Sequence, residues 1–587
     1  MRHFSILSNL TSCIWILVWC GYYLLPTDAT KSSDICRDES LGTQEPLAIA
    51  DIIVIGSGPG GVGFLYRFVR NQPNMTVLWI EKGKDFLARN WPGDIRKNRD
   101  VLTPIPRFKK KMVGYAWNNY GGGDAGNSGG PNYVGLHRPR QDPYEPVDVV
   151  KLRNHSIIPT TNTSLRWIEA FNKTGYGYVG PTYSRQSLES SVGLLSSLRT
   201  PDGRERLLLA NDLRYSDDNK VTYVHARVTS IIHDKDDGTR DATVRATGVR
   251  GVRIDGDQGE YGGCVTWRAR TAVVLAGGVF NSFDVLVESG LGPQKALDVR
   301  EVPTKWREPN EQVGQGVGDE YPSVFLSVEP EKQDQYGAEA RLVAHTTDTG
   351  SDASYEMWGH GVYSWLQFSN SFYDFLLGSV LPNTLPGLNR LTTNILGRTS
   401  MWSVSIFHEP NMTLIATKKP QNATSSHNNP LGMKINDTMV EFTDEMCMNL
   451  THLVDPFIHG AKLQKKACKK PSLARFVLAL ASKLGLTKLL HPNPITAQNV
   501  HTYTGRGKNK GKKCSLNQVS SYYHFYGGNA YAVNAGYILN GTKNLYISDA
   551  SVIQRLAPGA PASVVMEQGM KVADAVIADL NKTQCSG

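Results

Sequence analysis

The stretch from Ile49 to Glu81 constrains the fold of this chain more than any other. Ile49-Ala50-Asp51-Ile52-Ile53-Val54-Ile55 is a short, mostly apolar run, as expected of a strand in a parallel sheet covered on both faces. Gly56-Ser57-Gly58-Pro59-Gly60-Gly61 follows at once, and Val62 to Asn71 reads as a helix with Phe64, Leu65 and Phe68 on one face. A second strand, Met75 to Ile80, ends at Glu81. In this order Gly56 permits a tight turn, Gly58 lets the backbone approach a pyrophosphate, and Gly61 lets helix and strand pack closely. The helix start, with Pro59 in its first turn, offers N–H groups and a positive dipole end to phosphates. Glu81 stands twenty residues beyond Gly61, where a carboxylate can accept ribose hydroxyls. A glycine turn with no ligand is the plainer alternative, and the full strand, turn, helix, strand and acid context argues against it. The motif serves FAD and NAD alike.

At 587 residues the chain is too long for one ordinary core, so two or more domains are expected. Hydrophobic residues make up 40% and charged residues 20%, which excludes global disorder. The net charge of +9 is partly concentrated in Lys109-Lys110-Lys111, Lys465-Lys466 with Lys469-Lys470, and Arg506 to Lys513. None of these runs carries the interleaved aromatics of a nucleic-acid module, so they read as solvated loops or weak attraction to an acidic surface.

The amino terminus carries an apolar run that includes Ile14-Trp15-Ile16-Leu17-Val18-Trp19, followed by Pro26-Thr27-Asp28-Ala29. This reads as a signal peptide over residues 1–29, cleaved after Ala29. A retained membrane anchor is the alternative, since Ile6 to Leu25 is nearly long enough to span. No stable span is expected once the leader is cleaved. Its removal discards Cys13 and Cys20 and leaves six cysteines: Cys36, Cys264, Cys447, Cys468, Cys514 and Cys585. An even number in an exported chain permits disulfides, with the connectivity open. No CxxC occurs and histidines do not cluster with the cysteines, so no metal site is expected. Asn-x-Ser/Thr triplets, among them those at Asn74, Asn154, Asn162, Asn172, Asn411, Asn422, Asn436, Asn540 and Asn581, suit a secreted glycoprotein.

Further landmarks follow. Asn118 to Tyr133 holds six glycines in sixteen positions, too many for a helix or strand interior. It is either a flexible surface loop or a loop pressed against a flat ligand. Val221 to Ile232 and Val244 to Ile254 read as strands joined by a turn, and Arg268 to Leu275 as a buried strand entering Gly277-Gly278. Tyr355 to Phe375 is rich in aromatics that suit either a core or a substrate cavity. Leu473 to Leu484 reads as an amphipathic helix closed by Gly485.

Several of these landmarks stand in the order of the glucose-methanol-choline family of flavoprotein oxidoreductases, which the chain resembles. Gly126-Asn127-Ser128-Gly129-Gly130-Pro131-Asn132-Tyr133-Val134 resembles that family's glycine-serine loop along the isoalloxazine. Gly277 to Pro293, ending Ser289-Gly290-Leu291-Gly292-Pro293, resembles its second signature, and Val313 to Asp319 the segment after it. Tyr522-Tyr523-His524-Phe525-Tyr526-Gly527-Gly528 resembles the motif of the catalytic histidine, and Asn544 to Val552 the last flavin-contacting motif. The matches cover the cofactor-binding half and scarcely touch the middle of the chain.

The resemblance implies an α/β fold: a dinucleotide-binding (Rossmann-like) FAD domain from residues 47–150, 215–320 and 515–587, and an α+β cap with an antiparallel sheet from 151–214 and 321–514. It implies FAD held non-covalently, since the glycine-serine loop lacks a histidine for attachment. Contacts are implied at Gly56, Gly58, Pro59, Gly61, Glu81, Ser128, Gly129, Asn132, Val228, Asp549 and Ala550. His524 is implied as the base that takes a hydroxyl proton while an alcohol's α-hydrogen passes to flavin N5. The implied partners are a small alcohol and oxygen or another electron acceptor. One departure stands out: Ala560 precedes Pro561 where members carry a histidine or asparagine. It keeps open a flavin-retaining lyase or a catalytically silent flavin glycoprotein. For the exported form, intact mass should show a chain beginning near Thr30, several N-glycans removable by glycosidase, and disulfides; a glycan-free chain retaining Met1 would contradict it.

Overall fold

The structure, a computed structural model, describes residues 46–82, 220–235, 243–255, 260–328, 412–418, 433–435, 524–554 and 562–585, with Cys36 and short pieces between 156 and 197, 342 and 407, and at 494–495. Ser128, Gly129, Asn132, Ala560, the helix expected over 473–484 and most of the aromatic stretch lie outside the described residues.

Strand β1 (Ala48–Ile55) is the centre of the main sheet. It pairs in parallel with β2 (Val77–Glu81) on one side and with β5 (Glu260–Leu275) on the other. Outside these, β3 (Val221–Lys235) runs parallel to β2, and β8 (Leu545–Ile547) parallel to β5. The expectation that β1 is covered on both faces is met. Ile52 and Val54 pack with Phe64, Phe68, Trp79 and Val576, while Ile53 and Ile55 pack with Leu78, Val273, Phe283 and Leu286 of the opposite layer. Alternation along the strand thus sends successive side chains into two separate cores, which is why the sequence shows a continuous apolar run instead of an alternating one.

Two strands are longer than the sequence pattern implied. From Ala226 onward β3 leaves the parallel layer and pairs antiparallel with β4 (Val244–Asp255), which pairs antiparallel with the first half of β5. The ring of pairings β1–β2–β3–β4–β5–β1 therefore closes. Gly248 and Gly251 make this closure possible, because a Cβ at either would strike a main-chain oxygen or the Trp267 ring.

Asp51 is the polar exception inside β1. Its carboxylate accepts the amide of Thr76 at 2.8 Å and the Thr76 hydroxyl at 2.7 Å, and Arg270 of β5 reaches it at 3.0 Å. Burial works against ionisation of Asp51, and these three donors outweigh it, holding the carboxyl below the usual carboxylate value. One side chain thereby ties the entry of β1 to both neighbouring strands. A disulfide links Cys36 to Cys264 of β5.

Helix α1 (Pro59–Asn71) follows β1 and packs against α3 (Ala562–Cys585), some five hundred residues later in the chain. The contact is close enough to require glycine on both helices: a Cβ at Gly63 would overlap the Met566 carbonyl oxygen, and one at Gly569 that of Gly60. Arg67 and Asp574 pair across it at 2.7 Å. Helix α2 (Gly278–Glu288) leaves the end of β5 and lies on the opposite layer.

A separate seven-stranded sheet orders its strands as Pro494–Ile495, Glu320–Val328, Thr399–Phe407, Ser354–Gly361, Leu342–Thr347, Ser191–Leu194 and Gly177–Tyr178. Its inner pairings are antiparallel, and only the two outermost are parallel. Tyr355 and Trp358 of the aromatic stretch fall on Ser354–Gly361. Among the described residues no helix is long and apolar enough to cross a membrane.

The helix contact yields a direct test. Gly63→Ala must push α1 off α3 and should cost about 1–3 kcal/mol of stability, the usual range for overpacking; chemical denaturation of the two proteins side by side measures it.

Candidate active site

The turn after β1 is shaped by carbonyl groups arriving from two other strands. Gly56 has φ +101°, a conformation that L side chains rarely adopt, and a Cβ there would strike the Ala276 carbonyl oxygen at the end of β5. A Cβ on Gly60 would overlap the Ser548 carbonyl oxygen at the end of β8. Gly61 approaches the carbonyl of Gly56 in the same way. Gly58 differs from these: no heavy atom of the described residues lies within 4 Å of a Cβ built on it. It is the N-cap of α1, it supplies no capping side chain, and no acidic residue follows in the first turn. Within its own first turn α1 therefore carries no carboxylate to compete for its amides, which suits an anionic phosphate.

Glu81, at the end of β2, is buried, and its Oε2 accepts the amide of Ser57 at 2.7 Å. Trp79, two residues earlier on β2, donates its indole N–H to the Gly56 carbonyl at 3.0 Å. The acid expected at the ribose therefore stands beside the glycine turn. Val228 lies buried on β3, three residues past the end of its pairing with β2.

Asp549 is wholly enclosed. Its carboxylate accepts the amide of Gly278 at 2.9 Å, the hydroxyl of Ser282 at 2.5 Å and the amide of Ser551 at 2.8 Å. Burial pushes its pKa up, against the opposing effect of the Ser282, Ser551 and Gly278 donors. The side chain braces the start of α2 and caps the short 3-10 turn Ala550–Val552, while its backbone lies beside Gly60. Ala550 opens that turn.

His524 sits half-buried, and its amide donates to Oδ1 of the buried Asp319 at 3.1 Å. Phe525 meets Phe280 of α2 edge-on at 4.9 Å. The chain then enters β7 (Tyr526–Gly528), antiparallel to β6 (Gln315–Gly318). Asn529 joins this segment to the Asp549 turn: its amide donates to the Ser551 carbonyl and its Nδ2 to the Ser551 hydroxyl, both at 2.9 Å. A chain of short contacts thus runs from the α1 turn through Ser548 and Asp549 to Ser551, Asn529 and the His524 segment. Among the described residues the structure brings Gly56, Gly58, Pro59, Gly61, Glu81, Asp549 and Ala550 into one neighbourhood. Sequence reasoning missed Ser282, Ser551 and Asn529 as organisers, and Asp319 as the acceptor behind His524. Asp319 was legible only as the last residue of a quoted motif.

No family model and no curated protein matches the sequence. Solved structures do. A formate oxidase variant from Aspergillus oryzae RIB40, studied for its FAD modification, aligns over 92% of this chain and 100% of its own with a TM-score of 0.56 and 15% identity. Pyridoxine 4-oxidase from Mesorbium loti aligns over 89% of this chain and 98% of its own with a TM-score of 0.51 and 15% identity. At that identity the likeness is one of fold, an α/β fold shared with these oxidases.

Asp549→Asn tests the brace. An amide nitrogen would face donors that now meet a carboxyl oxygen, and stability below about pH 3.9, where the Asp549 contribution is full, should fall by about 1–3 kcal/mol. Because the native carboxyl holds its proton more tightly than the unfolded chain does, its contribution is full below about pH 3.9 and is lost as pH rises through the native value. The stability difference between wild type and variant, from denaturant midpoints, should therefore narrow with rising pH.

Proposed function

We propose that the chain is an FAD-dependent oxidoreductase of the glucose-methanol-choline type that oxidises an alcohol to a carbonyl. The observation that carries this reading is the uncapped start of α1 at Gly58 with buried Glu81 beside it, joined through Asp549 and Asn529 to the segment bearing His524. These residues fit FAD: Gly56, Gly58, Pro59 and Gly61 at the pyrophosphate, Glu81 at the adenosine ribose, Val228 on the nucleoside side, and Asp549 and Ala550 toward the ribityl chain. Ser128, Gly129 and Asn132 complete the flavin contacts in this reading, and the cofactor is held non-covalently. The seven-stranded sheet belongs to the cap that closes over the site.

Bound FAD supplies two-electron acceptance from a carbon–hydrogen bond. The protein's part is to orient the alcohol carbon and remove its hydroxyl proton. His524 takes that proton on a ring nitrogen. The hydrogen bond from its amide to Asp319 and the contact of Phe525 with Phe280 fix the backbone that presents the ring. Oxygen or another acceptor takes the electrons onward.

Export of the protein belongs to the same proposal. The leader ending at Ala29, the Cys36–Cys264 disulfide and the exposed sequon residues Asn74, Asn172, Asn540 and Asn581 support it.

Anaerobic mixing with a panel of alcohols, sugars and sterols should bleach the oxidised-flavin spectrum for at least one class. His524→Ala should retain FAD and lower the rate of that bleaching about 100-fold or more, the range for a lost general base. Unchanged reduction across pH would remove His524 from the role. Ala560 favours a second reading, a flavin-retaining lyase, for which substrate cleavage without bleaching is the expected result.

A further inference from the structure

The nucleoside side of the site holds a histidine that the cofactor reading leaves unused. Glu81 and His225 are directly opposite each other in the parallel pairing of β2 and β3. Side chains opposite each other on adjacent strands stand on the same face, with backbones about 4.8 Å apart. The pair two residues earlier demonstrates the geometry: Trp79 and Tyr223 meet edge-on with ring centroids 5.5 Å apart. Glu81 and His225 are also the last pair of that register, since β3 turns away to pair with β4 from Ala226. Both therefore stand at the carboxyl end of the parallel sheet, the edge along which α/β sheets receive nucleotides.

The Nε2 atom of His225 is buried, and among the described residues it has no hydrogen-bond partner. A buried polar atom left without a partner costs about 1–3 kcal/mol. Depending on tautomer, this nitrogen donates or accepts one hydrogen bond. A ribose that reaches Glu81 brings its hydroxyls and the attached purine edge within range of a side chain one strand further along the sheet.

We propose that His225 is a recognition residue for the adenosine half of the cofactor, its Nε2 hydrogen-bonding the ribose or the purine edge beside Glu81. This rests on the FAD reading above and adds to it a side chain that distinguishes an adenine dinucleotide from a flavin mononucleotide. His225 acts in binding, away from the His524 chemistry.

The test is flavin retention by the full-length protein, followed as the rise in flavin fluorescence after dilution, with FAD and with FMN exchanged into the site. His225→Ala and His225→Phe should release FAD about 3- to 10-fold faster than wild type, the equivalent of one hydrogen bond. Release of FMN, which lacks the adenosine half, should be unchanged, and ADP should compete less well with FAD in both variants. His225→Asn keeps a donor and an acceptor and should return FAD release to within about 3-fold of wild type. If Ala disrupts folding, the Phe and Asn variants carry the comparison, with the Glu81-to-Ser57 turn monitored by the melting temperature. Equal FAD release in wild type and His225→Phe, or parallel weakening of FAD and FMN, overturns the assignment. A wild-type protein that binds no flavin overturns the function proposed above instead, and the two failures are thereby distinguished.

Discussion

Three strand ends converge on one turn, and the contact distances there leave no room for a side chain. The carbonyl of Ala276 ends β5 against Gly56, and the carbonyl of Ser548 ends β8 against Gly60, while Gly61 closes on the carbonyl of Gly56 itself. Any Cβ at these three positions would overlap an oxygen. The order of the parallel layer, with β1 between β2 and β5 and with β8 beyond β5, is what delivers those carbonyls to the same place. Gly58 alone of the turn's glycines is unobstructed by any described residue, at the start of α1.

Asp549 converts that convergence into a connected site. A carboxylate with three donors from two segments, fully enclosed, holds the start of α2 at a fixed distance from the turn Ala550–Val552. Asn529 carries the constraint onward to the segment of His524 through two contacts to Ser551. A side chain on an isolated loop would lose orientation with every loop fluctuation. Here its backbone is fastened at Asp319 and at Phe280, and the strand that follows pairs with Gln315–Gly318.

Much of this was legible before any coordinates. The continuous apolar run of β1 announced a strand with two covered faces, and the spacing from Gly61 to Glu81 placed an acid at the end of the next strand. What sequence could not disclose is cooperative. Periodicity marked Val221 to Ile232 and Arg268 to Leu275 as strands, yet nothing local shows that β3 and β5 each serve two layers, because the partner changes midway while the alternation continues. Gly60 has no assigned part in the glycine pattern of the motif, and it is a point of contact with Ser548, a residue 488 positions away. The pairing of Cys36 with Cys264 was likewise open, since connectivity follows from the fold and not from spacing. His225 carried no motif; only its register opposite Glu81 and its buried ring nitrogen distinguish it from the other polar residues of β3.

The contact between α1 and α3 has a consequence for how the protein is made. Gly63 and Gly569 bring together helices whose residues leave the ribosome some five hundred residues apart, and Gly60 and Ser548 meet across 488. At about 5–20 residues per second, α1 emerges tens of seconds before α3 can meet it. In that interval Phe64 and Phe68 have no α3 to cover them, and β5 has no β8 alongside. Loop closure of this length is slow and holds apolar surface open to wrong partners. The glycine turn after β1 is therefore translated well before the segments that complete it, and its unfinished surface stays open to aggregation until they arrive.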